Sequence, residues 1–247
     1  MSRFFVNEEN IQPDLIKITD KDDLKHLSKV LRHRIGDVVE ISDNNEWEYK
    51  IELTEINADY AAGKILGKTA FEREPELKVT LYQGIPKQAK MELIIQKTVE
   101  LGVTTVIPVF TENTVVLDKG NFDRKIERWQ KIADEAVKQC RRGRIPEIEN
   151  SMKFSQATKH MKENDLNIFC YEDEKKTTLK QVLRQIPRGK IKKLGLIIGP
   201  EGGFSEGECV MAAEAGAVSA SLGKTVLRVE TASVASLAMV MYELELD

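Results

Sequence analysis

The sequence predicts an α/β protein: residues 73–247 form a domain with a mainly parallel sheet, and residues 1–72 a small β-barrel in front of it. Three observations predict this. Short strand patterns with a single helix fill the chain up to about residue 72, and from Lys78 onward strand and helix patterns alternate. The 247 residues, 41% hydrophobic and 31% charged, supply core enough for one large domain or two smaller ones.

In the first part the strands are RFFV, IKIT, DVVEISD, EWEYKIEL and AAGKILGK, each alternating or running apolar between Asp, Asn and Gly. The helix is DKDDLKHLSKVLRHR. Asp20 offers its N-cap, and Leu24, Leu27, Val30 and Leu31 recur at helical spacing. The segment FEREPELK, charged and bearing a proline, reads as a linker. In the second part the strands are KVTLYQGI, VTTVIPVFT, LNIFCYE, LGLIIG and AVSASLG, with helices near 90–101, 123–138, 179–185 and 206–215. Such alternation calls for a parallel sheet covered by helices. A last helix, about 231–244, lines up Val234, Leu237, Ala238, Met241 and Tyr242 on one face, a core or subunit stripe.

No run of about 18 apolar residues spans a bilayer, and MSRFFVNEEN lacks the apolar stretch and cleavage site of a leader, so a cytoplasmic protein with no membrane partner is expected. Cys140, Cys170 and Cys209 are odd in number and far apart, and His26, His33 and His160 are scattered, so neither disulfides nor a metal is expected. The net charge of −3 argues against indiscriminate polyanion binding, but the sum hides a gradient. Residues 1–72 carry 10 Lys and Arg against 15 Asp and Glu, residues 73–247 carry 27 against 25, and KQCRRGR concentrates Lys138, Arg141, Arg142 and Arg144.

The stretch LIIGPEGGFSEGE runs from a buried strand through glycines into a helix start. A Walker loop needs a glycine five residues before Gly223-Lys224-Thr225, where the chain has Val218. The dinucleotide fingerprint fails too, because Gly199, Gly202 and Gly203 are wrongly spaced and the turn comes late in the domain. Gly199, Gly202 and Gly203 nonetheless permit positive φ and close approach of a flat ligand, Pro200 stiffens the turn, and Ser205 with Glu208 forms a capping box. Alone, these features justify only a tight turn. A second glycine loop, in LGKTVLRVETASVAS, follows another strand, and two such loops at carboxyl ends of one sheet can face a single crevice.

Together, GPEGGFSEGE and LGKTVLRVETASVAS resemble the carboxy-terminal signature of the 16S ribosomal RNA uridine N3-methyltransferases, the ribosomal RNA small subunit methyltransferase E family of the SPOUT superfamily. The resemblance extends to IPKQAKMELIIQKTVELGV, ERWQKIADEAVKQCRRGRIPEI and HLSKVLRHRIGD, and so covers essentially the whole chain. It implies a PUA-like RNA-binding β-barrel over residues 1–72, a SPOUT α/β domain with a trefoil knot over 73–247, an S-adenosylmethionine (S-adenosyl-L-methionine) pocket in the knot, and a homodimer. Carried over, Leu196, Gly199, Pro200, Glu201, Gly202 and Gly203 form one pocket wall, and Leu222, Gly223, Leu227, Arg228 and Thr231 the other. Two departures stand out: Asn113 replaces a usual arginine, and Lys138 and Arg141 add positive charge.

The implied reaction methylates N3 of one uridine in the decoding region of 16S rRNA, in the small ribosomal subunit. Positioning supplies rate, and the N3 proton must leave or the imide anion be stabilised. Arg228 is the first candidate for that anion, Arg142 or Arg144 the next, and Glu201 or Glu230 the candidate bases. The uracil must be unpaired or flipped. Arg3, Arg32, Arg34, Lys87, Lys90, Arg141, Arg142 and Arg144 are candidate phosphate contacts. The alternatives are another SPOUT activity, such as ribose 2′-O-methylation, and a non-catalytic RNA-binding assembly factor.

Overall fold

The computed structural model describes residues 3–116 and 122–246. The chain divides into two compact units, one of Met1–Glu74 with Val137–Ile145 and one of Pro75–Ala136 with Pro146–Asp247.

The first unit holds β1 (Arg3–Phe5), β2 (Leu15–Ile18), α1 (Lys21–Lys25), β3 (Val38–Ser42), β4 (Trp47–Ile56) and β5 (Ala61–Ala70). They form a five-stranded sheet in the order β1-β3-β4-β5-β2, parallel only between β1 and β3. Alternation decides its inner face: Ile16, Ile18, Val39, Ile41, Ile51 and Leu53 are fully buried in one cluster with Phe4 and Leu27. Register shifts between β4 and β5 at Lys50/Ile51 and Leu53/Glu55 curl the long hairpin around that core. Asp20 caps α1 by accepting from the amides of Asp22 and Asp23, each at 2.9 Å. The predicted helix is cut short, however. After Lys25 the chain widens into a π turn, His26–Val30, where Ser28 Oγ back-bonds to the Leu24 carbonyl at 2.7 Å, and Arg32 at φ +55° ends it.

The returning segment Val137–Ile145 completes this unit. Arg142, 5% exposed, is bidentate on Glu74, with Nη2 to Oε2 at 2.9 Å and Nε to Oε1 at 3.3 Å. The amides of Gly143 and Arg144 donate to the same Glu74 carboxylate at 2.8 and 3.1 Å. A Cβ at Gly143 would lie 2.5 Å from the Phe71 ring, so any other residue there would force that ring to shift. FEREPELK is therefore not a free linker at Phe71 and Glu74.

The second unit holds β6 (Lys78–Gly84), α2 (Lys90–Glu100), β7 (Thr105–Phe110), α3 (Phe122–Cys140, its last turn counted with the first unit), β8 (Glu147–Ile148), β9 (Met152–Lys153), α4 (Phe154–His160), β10 (Leu166–Cys170), α5 (Leu179–Arg184), β11 (Lys193–Ile198), α6 (Glu206–Glu214), β12 (Val218–Ala220) and α7 (Val229–Leu244). The sheet runs β12-β10-β11-β6-β7-β8, with β9 also on β7, and every pair is parallel. The expected alternation and parallel sheet are present; β8, β9 and α4 are additional. Tyr82, Ile107, Phe154, Phe169 and Ile197 form part of the core, and Phe204 packs against Phe169 with the rings tilted and their centroids 4.4 Å apart. That contact ties the chain just after the glycine turn to the sheet.

Candidate functional site

Because β12, β10 and β11 are neighbours and parallel, their carboxyl ends emerge along one edge. A cavity of about 700 Å³, counted with its open mouth, lies there. The end of β10 contributes Cys170, Tyr171 and Glu172, and β11 contributes Ile198, Gly199, Pro200, Gly203 and Phe204. The loop after β12 runs along the cavity from Ser221 to Leu227, and Val229 and Ala232 close it from the start of α7. Six of the predicted pocket residues therefore meet: Gly199, Pro200, Gly203, Leu222, Gly223 and Leu227.

Close approach explains the glycines. Gly203, at φ +64°, donates its amide to the Pro200 carbonyl at 2.9 Å and closes the turn. A Cβ at Gly202 would sit 2.9 Å from Asn113 Cβ, and Asn113 Nδ2 donates to the Gly202 carbonyl at 2.8 Å. Asn113 thus has a local task in holding the turn. Ser205 and Glu208 form the expected capping box, with amide-to-side-chain bonds of 3.2 and 3.0 Å, and the second Glu208 oxygen accepts from the Glu112 amide at 3.0 Å.

Other candidates lie elsewhere. Leu196 is fully buried in mid-strand, paired in register with Leu81 and Ile168, so it is core below the cavity and not a wall. Glu201, Gly202, Arg228 and Thr231 flank the lining without joining it. Glu201 and Glu230 share one cation: Lys90 Nζ is 2.9 Å from Glu201 Oε1 and 3.4 Å from Glu230 Oε2. Burial alone would raise the Glu201 pKa, but bonds from Lys90 and from backbone amides outweigh it and hold the carboxyl below its usual range. Arg228, the N-cap residue of α7, is exposed and makes no side-chain hydrogen bond or ion pair among the described residues.

The basic candidates separate by partner. Arg142 is buried on Glu74 in the first unit, so it is no free catalytic or RNA-gripping cation. Arg3 is likewise consumed, donating to the carbonyls of Arg141 and Arg142 at 3.0 Å each and pairing with Glu48 at 2.8 Å. Arg144 donates to the Asn45 carbonyl. Lys90 is engaged by two carboxylates. Arg32, Arg34, Lys87 and Arg141 are exposed.

Sequence reasoning missed the third wall, Cys170-Tyr171-Glu172, because only the strand order places β10 between β12 and β11. The neighbouring Cys209 and then burial push the Tyr171 phenol up to about 12, and burial pushes the Cys170 thiol to about 12, so neither is an anion at neutral pH. Among the described residues no cluster of three His, Cys, Asp or Glu side chains is placed to hold a metal, and no helix is long and apolar enough to cross a membrane.

Comparison with known proteins assigns the class. A family model described as RNA methyltransferase domain matches residues 73–241, and one described as RNA methyltransferase PUA domain matches residues 18–66. The Bacillus subtilis protein named ribosomal RNA small subunit methyltransferase E is 31% identical over 253 residues, spanning 100% of this chain and 98% of that protein. The protein of the same name from Buchnera aphidicola subsp. Acyrthosiphon pisum is 32% identical over 231 residues, spanning 93% and 89%. A crystal structure of the Neisseria gonorrhoeae ribosomal RNA small subunit methyltransferase E, bound to S-adenosyl methionine, superposes with a TM-score of 0.84 at 28% identity and covers 99% and 98% of the two chains. The chain belongs to the ribosomal RNA small subunit methyltransferase E family of RNA methyltransferases. Its fold class is that of the SPOUT enzymes, an α/β domain with a parallel sheet that follows a small PUA-like barrel in the sequence.

Proposed function

We propose that this chain is a cytoplasmic methyltransferase that uses S-adenosylmethionine to methylate N3 of one uridine in the decoding region of 16S rRNA, within the small ribosomal subunit. The observation that carries the reading is the cavity at three adjacent parallel strand ends, into which both glycine loops open. It fits the cofactor. Ile198, Leu222, Leu227 and Val229 offer apolar faces for a flat base, Gly199 and Gly203 leave room for close approach, and Glu172 and Lys224 are charged groups of both signs for a zwitterionic tail. The bound cofactor supplies an electrophilic methyl on its sulfonium.

The protein's share is positioning and charge. We assign to Arg228, exposed at the start of α7 beside Leu227 and Val229, the role of holding the imide anion of a uracil as its N3 proton leaves. Glu230 is the less encumbered candidate base, since Glu201 is more closely tied up by Lys90 and the Lys87 amide. Arg32, Arg34, Lys87 and Arg141 remain the phosphate contacts. We assign methyl transfer to residues 73–247 and RNA binding chiefly to residues 1–72, with Lys87 and Arg141 as further phosphate contacts from 73–247. A homodimer is supported by an exposed apolar strip on α7, where Ala235, Ala238, Met239 and Tyr242 stand beside Leu183 of α5, with Met239 42% and Tyr242 71% exposed.

Mass spectrometry of nuclease fragments of 16S rRNA, from strains with and without the gene, tests the assignment. Loss of a single N3-methyluridine in the deletion strain is expected. An unchanged modification profile overturns it, and loss of a ribose 2′-O-methyl mark would favour the other SPOUT chemistry.

A further inference from the structure

We infer that Lys90 is a positioning residue of the cofactor pocket, a latch whose ammonium holds the glycine turn after β11 to the first turn of α7, two of the segments that wall the cavity, and that it is not an RNA contact. The inference rests on reading the cavity as the S-adenosylmethionine site. Lys90 is the first residue of α2, outside both segments, yet it reaches Glu201 in the glycine turn and Glu230 in the first turn of α7. Glu201 directly follows Pro200 and Glu230 directly follows Val229, and both of those neighbours line the cavity. One cation therefore joins the glycine turn after β11 to the first turn of α7.

The contacts are partly shielded from water, with side-chain exposures of 29% for Lys90, 26% for Glu201 and 18% for Glu230. Glu230 Oε2 is buried and accepts no hydrogen bond among the described residues, so its ion pair with Lys90 is what compensates its charge. Glu201 has a second anchor, the Lys87 amide, which donates to both carboxylate oxygens at 3.2 and 3.1 Å. Removing the ammonium would leave two neighbouring carboxylates facing each other, one of them shielded and uncompensated, and their repulsion would part the loops. A lysine so engaged has little charge left for phosphate.

Two measurements test the latch. The first is calorimetric binding of S-adenosylmethionine, without RNA, to the wild type, Lys90→Arg, Lys90→Met and the double variant Lys90→Met/Glu230→Gln. Lys90→Met is expected to bind about tenfold more weakly or worse, Lys90→Arg within about threefold of wild type, and the double variant to recover most of the loss, because the repelling charge is gone. The second is the salt dependence of Lys90→Met binding to a 16S rRNA fragment, expected to keep the wild-type slope. Wild-type cofactor affinity in Lys90→Met overturns the latch, as does a loss that neither Lys90→Arg nor the added Glu230→Gln repairs. A salt slope lowered by about one unit would mark Lys90 as a phosphate contact instead. If the wild type itself binds no S-adenosylmethionine, the pocket reading falls, and the latch with it.

Discussion

Arg228 stands at the N-terminus of α7, where unsatisfied amides already favour an anion, and no carboxylate among the described residues neutralises it. Arg228→Ala is expected to keep its thermal midpoint and its cofactor affinity within a few-fold, while turnover of small-subunit rRNA falls by about 10²–10³, the usual loss when one anion-stabilising donor is removed. Calorimetry and a methyl-transfer assay on the same preparation check both halves. At this scale the glycines were legible because positive φ and close approach leave a mark in the residue type itself. Gly199 and Gly203 line the cavity and Leu196 does not; an apolar residue in a strand looks the same in sequence whether it faces a ligand or a neighbouring strand. Asn113 reads from sequence only as an absent arginine, although its amide holds the glycine turn through the Gly202 carbonyl.

The run KQCRRGR shows how an element misleads when its partners are distant. Four cations within seven residues look like a solvated, RNA-facing helix end, yet Lys138 pairs with Asp23 at 3.0 Å and Arg142 is buried on Glu74. Both carboxylates lie more than sixty residues upstream, beyond any local pattern. Arg142→Ala strands a shielded Glu74 carboxylate and is expected to cost about 3–5 kcal/mol in urea denaturation. It should leave the salt slope of RNA binding unchanged; a variant of wild-type stability with a reduced slope would return Arg142 to the RNA surface. Long periodic elements such as α2 and α7 were legible in the sequence. α4 was not, because seven residues burying only Phe154 and Ala157 barely complete two turns. The π turn after α1 was also hidden, since helix period alone does not reveal a local widening.

For the whole molecule, the sequence showed two glycine loops at strand ends, but not the strand order that sets β10 between β12 and β11. The crevice was thus foreseeable with two walls, and the third depended on non-local pairing. The apolar strip on α7 carries the prediction at this scale: the wild type should sediment as a dimer, and Met239→Glu as a folded monomer. A monomeric wild type would remove the dimer from the proposed function. The returning segment Val137–Ile145 has a further consequence, in the time order of synthesis. Ser42 Oγ donates to the Gly143 carbonyl, Phe71 lies against Gly143, and Glu74 awaits Arg142. At about 5–20 residues per second of translation, these partners arrive several seconds after the strands that need them. The unit built on Met1–Glu74 leaves the ribosome before the segment that completes it and cannot be finished until Ile145 follows, so a nascent chain stalled near Glu74 should remain open to protease.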